Sequence, residues 1–133
     1  VNGWPTPNQN FSLLSDPVIG NIDDDKDAEI VLGAETGSSC GLIAFNKDGS
    51  IVNGFPIFLF NDHYCRVVYI EITKEEQSGM VKIVAVTDGY ALVSDYNAAF
   101  QVYTNSLYNP ELMLWPKYFH DKINSNNYNF NLA

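Results

Sequence analysis

The chain has 133 residues, is 46% hydrophobic and 14% aromatic, and carries a formal net charge of −9. That length suffices for one domain with a core, and a surface this acidic repels phosphate backbones and anionic membranes, so divalent cations or basic partners are expected in place of nucleic acid. No apolar run approaches the roughly 18 residues that span a bilayer, and neither an initiator Met nor a signal-peptide pattern is present.

Residues 1–10 carry Gly3, Pro5 and Pro7 among polar residues and read as the tail of a preceding unit, with Trp4 packed into a neighbour. The phrase Val1-Asn2-Gly3-Trp4-Pro5 returns as Val52-Asn53-Gly54-Phe55-Pro56, 51 residues on, and a third aromatic-Pro pair stands at Trp115-Pro116. Self-similarity at such a period signals a repeat architecture, in which no single unit buries its own apolar face. Because the chain begins inside that phrase, it is expected to be a piece of something longer or a processed chain. Asn10-Phe11-Ser12 fits the N-glycosylation acceptor pattern, a tripeptide that arises often by chance.

The first unit, 11–57, contains four predicted strands: Pro17–Ile22, Glu29–Ala34, Gly41–Asn46 and Ile51–Val52. The continuous Ile30-Val31-Leu32 predicts burial on both faces. Thr36-Gly37-Ser38 and Asp48-Gly49 supply the turns, Gly being tolerant of the positive φ that tight hairpins require. The second unit, 58–116, is a looser copy with strands predicted at Arg66–Ile72, Val81–Thr87, Tyr90–Tyr96 and Phe100–Thr104, and a loop over Ser106–Glu111. Asp88-Gly89 reads as a turn there, and Ile83-Val84 aligns with Ile30-Val31 at an offset of 53. A terminal segment, 117–133, is Asn-rich and predicted to be irregular. Cys40 and Cys65 leave two alternatives open, a disulfide or two buried thiols, because pairing depends on a Cα separation that spacing does not reveal.

Between the first two strands, Asn21, Asp23, Asp25, Asp27 and Glu29 put oxygen-bearing side chains at alternate positions of one loop. Hard cations such as Ca²⁺ take six to eight oxygens at about 2.3–2.6 Å, and alternate residues of a tightly turning loop can converge on one ion. Asp27, at the seventh position, is expected to offer its backbone carbonyl. The competing interpretation is a solvated acidic hairpin loop. Lys26 stands where such loops usually have Gly, at a cost of about 1 kcal/mol for a left-handed conformation, so a weak site is expected.

With these residues in view, the stretch Pro17–Pro56 resembles an FG-GAP/VCBS-type repeat, the blade unit of integrin-like calcium-binding β-propellers. The loop matches the family's DxDxDGxxD/E pattern except at Asn21 and Lys26, and Asp48-Gly49-Ser50 with Gly54-Phe55-Pro56 matches its closing phrase. Trp115-Pro116-Lys117-Tyr118-Phe119-His120-Asp121 with Asn127-Tyr128 resembles the phrase that ends such propellers in secreted bacterial proteins. The resemblance implies an all-β fold of antiparallel four-stranded meanders, each a propeller blade, about two and a half repeats being present. It further implies Ca²⁺ bound by Asn21, Asp23, Asp25, Asp27 and Glu29, a secreted or cell-surface location, and other blades as partners, from another chain of the same protein or by self-association.

No catalytic motif is found: GxSxG, HExxH and Gly-rich phosphate loops are all missing. His63, the His120–Asp121 neighbours and Glu75-Glu76 read as structural or solvated residues. Tyr64, Tyr69, Tyr90, Tyr96 and Tyr103 read as strand packing, with a carbohydrate-binding face as the less favoured alternative. The expected function is a non-catalytic binding or adhesion scaffold with a protein or carbohydrate ligand. Two alternatives are an accessory part of a secreted hydrolase or polysaccharide lyase whose catalytic residues lie elsewhere, and a spacer with no ligand.

Overall fold

A computed structural model describes residues 3–4, 12–13, 15–37, 39–59, 65–89 and 98–114. They form an all-β structure of two antiparallel sheets and one short 3₁₀ turn, Pro110–Leu112. Neither sheet closes on itself among these residues. The predicted strand at Tyr90–Tyr96, the glycosylation tripeptide's Asn10 and Phe11, His63, Tyr64, and the terminal stretch from Trp115 to Ala133 lie outside the described residues.

The first sheet contains β1 (Ser12–Leu13), β2 (Val18–Gly20), β3 (Glu29–Thr36), β4 (Ser39–Phe45) and β5 (Ile57–Phe58). β1 and β2 share one edge of β3, pairing with its far and near ends in turn, while β4 takes the other edge and β5 follows β4. Two expectations are corrected here. Ile51–Val52 is not a strand: Ile51 makes one isolated bridge to Phe45, after which Asn53-Gly54 turns with Gly54 at φ +89° and Phe55 N donates to Val52 O at 3.1 Å. Pro56, which has no N–H to give a ladder, follows in a cis peptide, and pairing resumes only at Ile57. Burial on both faces belongs to β4, all seven of whose residues are buried, whereas β3 alternates along its first half.

The second sheet is a three-stranded meander of β6 (Cys65–Lys74), β7 (Met80–Gly89) and β8 (Ala98–Leu107). Asp88 and Gly89 close β7, paired with Arg66 and Cys65, where a turn is predicted. β8 continues through Asn105, Ser106 and Leu107, beyond the predicted Thr104. The alternation along β7 is strict: Val81, Ile83, Ala85 and Thr87 are buried and the residues between them half-buried, as a strand with one covered face requires.

The sheets pack face to face. Val31, Leu42 and Ala44 of the first sheet meet Ile70, Ile72, Val81, Ile83 and Ala85 of the second in one apolar core, with Phe55 packed against its edge. The other face of the first sheet carries Ala34, Ile43 and Phe45, covered in part by Trp4. Trp4 stacks edge-to-face on Phe45 at 5.8 Å and donates from Nε1 to Lys47 O at 2.8 Å. Trp4, predicted to pack beyond its own segment, packs on the outer face of the first sheet. Cys40 and Cys65 form a disulfide with Cα atoms 5.4 Å apart, which joins β4 to the start of β6 and so ties the sheets together covalently.

Gly33 sits at a close approach of the two sheets. A Cβ there would lie 2.7 Å from Val67 Cβ and 2.9 Å from Ser15 Oγ, the hydroxyl that accepts the Gly33 N–H at 2.6 Å. Gly33→Ala should cost about 2 kcal/mol, the usual scale of overpacking, measured as a lower urea midpoint. Combining it with Val67→Gly, which removes the Cβ it would meet, should destabilise by clearly less than the sum of the two single changes; strict additivity would place the clash elsewhere.

Candidate metal centre

The loop between β2 and β3 is built from short, local hydrogen bonds of the kind that Asp and Asn side chains favour. Asp25 N donates to Asp23 Oδ1 at 3.0 Å, and Asp27 N to Asp25 Oδ1 at 2.7 Å. These successive Asx turns curl the chain. They leave Asp23, Asp25 and Glu29 with carboxylate oxygens all within 4.8 Å of one another. Oxygens that share one Ca²⁺ at about 2.3–2.6 Å lie no more than about 5 Å apart, so this spacing fits a single ion.

Glu29 supplies the second observation. It opens β3 and is 0% exposed. One carboxylate oxygen, Oε2, accepts Ile22 N–H at 2.8 Å. The other, Oε1, is buried without a hydrogen-bond partner. Buried carboxylates are ordinarily paired, because stripping their water without a replacement is costly. Burial pushes the Glu29 carboxyl up to about 7, the charges of Asp23 and Asp25 pushing the same way and the Ile22 N–H opposing them. An oxygen with no donor, beside two more carboxylates, is the arrangement a cation satisfies.

The remaining predicted ligands are placed otherwise. Asp27 points away and pairs with Lys47 at 2.5 Å, an exposed ion pair worth little to stability; its carbonyl was the atom the pattern required. Asn21 is 4% exposed and donates from Nδ2 to Asp25 O at 2.5 Å, so it braces the loop from within. The loop is also held from outside the first sheet. Asn21 N donates to Leu112 O at 3.1 Å, and Ser106 Oγ of β8 donates to Asp23 O. Ser106 is missing from the predicted set, since its sequence neighbourhood, Asn105-Ser106-Leu107, reads as the start of a loop; only the pairing of β8 with β7 puts it there.

Two concavities flank the loop. One, of about 460 Å³, is lined by Asp23, Asp25, Asp27, Lys47 and Asp48. Asp48 is held below the usual carboxylate range by the hydroxyl and N–H of Ser50, at 2.6 and 2.9 Å. The other, of about 300 Å³, runs between the sheets beside Asp23, Phe55, Val102 and Tyr103. Among the described residues, no helix is long and apolar enough to cross a membrane.

No protein-family model, curated protein or solved structure matches this chain.

Proposed function

We propose that the chain is a non-catalytic, calcium-binding β-scaffold of the propeller-blade type, part of a secreted or surface protein and serving binding or adhesion. The observation that carries the calcium assignment is Glu29 Oε1, buried and unpartnered beside Asp23 and Asp25. The donor set is all oxygen, which favours a hard cation over zinc or copper. The ion would hold the β2–β3 hairpin rigid and offset most of the charge of three converging carboxylates; no step of chemistry is assigned to it.

The stacking of the sheets supports successive blades. Ile30 lies on the face of the first sheet that carries Phe45, directed away from the second sheet. Its partner at the 53-residue offset, Ile83, is directed from the second sheet toward the first. Equivalent positions thus point the same way along the stack, as in repeat arrays whose units contact only their neighbours. The repeated phrase behaves alike: Gly3 and Gly54 turn at φ +88° and +89°, Trp4 packs on one face of the first sheet and Phe55 on the other. Further sheets of the same kind, from another chain or another copy, are the partners proposed for the outward faces. The disulfide supports an oxidising, extracytoplasmic compartment.

Asp23→Ala tests the site. It should lower the melting temperature by several degrees more with calcium present than in chelator, where only the turn bond from Asp25 N–H to Asp23 Oδ1 is lost. An equal response in both conditions would return the loop to a solvated acidic turn.

A further inference from the structure

We infer that Ser106, on the second sheet, is a positioning residue for the cation site of the first, so that cation occupancy and the seating of β8 are coupled. The inference rests on assigning the β2–β3 loop as a calcium site and adds to it a determinant 83 residues away in sequence.

The geometry begins with a bulge. β8 pairs regularly with β7 from Ala98 to Tyr103, Tyr103 opposing Lys82, but the next pair is Leu107 with Met80. Three residues, 104 to 106, therefore oppose the single residue Val81. Bulges bend a strand and re-aim its side chains. Thr104 Oγ1 donates to Val81 O at 3.0 Å and accepts Ser106 N–H at 3.2 Å, fixing the bulge. Ser106 is thereby turned inward, 4% exposed, with its hydroxyl donated to Asp23 O and Asn21 Oδ1 3.4 Å away. Beyond it, Tyr108 N donates to Gly79 O at 3.0 Å, and Leu112 O receives Asn21 N–H.

The second sheet thus grips the loop at residues 21 and 23, on either side of Ile22. Ile22 N–H is the donor that orients Glu29 Oε2. A chain of contacts runs from the β8 bulge, through the loop backbone, to the buried ligand. Holding a loop in its binding geometry before the ion arrives strengthens binding by reducing the ordering required. Coupling between binding equilibria is reciprocal, so the ion must in turn hold the end of β8 in place.

The test is calcium titration by calorimetry on the intact chain and on Ser106→Ala, with hydrogen exchange read by mass spectrometry. Ser106→Ala should bind about tenfold more weakly, the scale of one buried hydrogen bond lost with its acceptor left unpaired. In the parent chain, calcium should slow exchange in residues 104–109 as well as 21–29; in Ser106→Ala only 21–29 should respond. The exchange measurement on the parent chain stands alone should the variant fail to fold. Affinities equal within twofold, or protection confined to the loop in the parent chain, would overturn the coupling while leaving the calcium site intact. A parent chain that binds no calcium would overturn both.

Discussion

Replacing Glu29 by Gln should make the calcium-free chain more stable at pH 8 while abolishing its response to calcium. Burial and the neighbouring aspartates raise the Glu29 carboxyl from 4.5 to about 7 in the folded state. An acid whose folded pKa is raised holds its proton more tightly when folded. Its contribution to stability is therefore fully present below about 4.5 and is lost as pH rises through about 7. The gap corresponds to about 3 kcal/mol of destabilisation carried by the calcium-free chain at pH 8. Glu29→Gln removes that charge and keeps an oxygen for Ile22 N–H, so the gain should approach 2–3 kcal/mol at pH 8 and vanish near pH 4.5. Calcium reverses the order, because the ion needs the carboxylate. Thermal unfolding at pH 4.5 and 8, in chelator and in calcium, reads all four conditions. Equal effects of the substitution at both pH values in chelator would mean that Glu29 is already compensated by something other than a cation.

Breaking the Cys40–Cys65 bond is the second large perturbation. The bond closes a sequence separation of 25 residues, for which the chain-entropy relation gives about 3.5 kcal/mol at 25 °C. A chain of this size is expected to have a total stability of about 5–15 kcal/mol, so Cys40→Ala/Cys65→Ala should remove a large share of it. The bond joins the two sheets at β4 and β6, so its loss acts on their docking. Urea unfolding should show a lower midpoint and a steeper dependence on denaturant, as the unfolded chain expands once freed. An unchanged midpoint would mean that the shared apolar core, with β4 and β3 packed on β6, already holds the sheets without help.

How far this architecture is legible in the sequence varies by element. β2, β3 and β4 follow from apolar runs bounded by Asp-rich and Gly-containing turns, because those signals are local. β5 does not: Ile51-Val52 looks like the natural continuation after Asp48-Gly49, yet the turn at Gly54 and the missing N–H of Pro56 defer pairing to Ile57-Phe58. The length of β8 is hidden as well, since Thr104-Asn105-Ser106 is as polar as a loop and becomes strand only through the bulge against Val81. At the site, alternation of oxygen-bearing residues picks out Asp23, Asp25 and Glu29, which do converge. Spacing cannot separate them from Asp27, drawn off by Lys47, or from Asn21, turned to brace Asp25 O. Nor can it register what makes Glu29 distinctive, the orphaned oxygen, because burial is a property of the folded chain and not of spacing. The same holds for the two cysteines, whose partnership is a property of how β4 and β6 meet.

The most direct test of the calcium assignment is native mass spectrometry of the chain after chelation and after re-equilibration with calcium, alongside Glu29→Gln. One Ca²⁺ per chain, absent in chelator and absent in the variant, is the predicted result. No bound ion in calcium, or the same ion count in parent and variant, would contradict it.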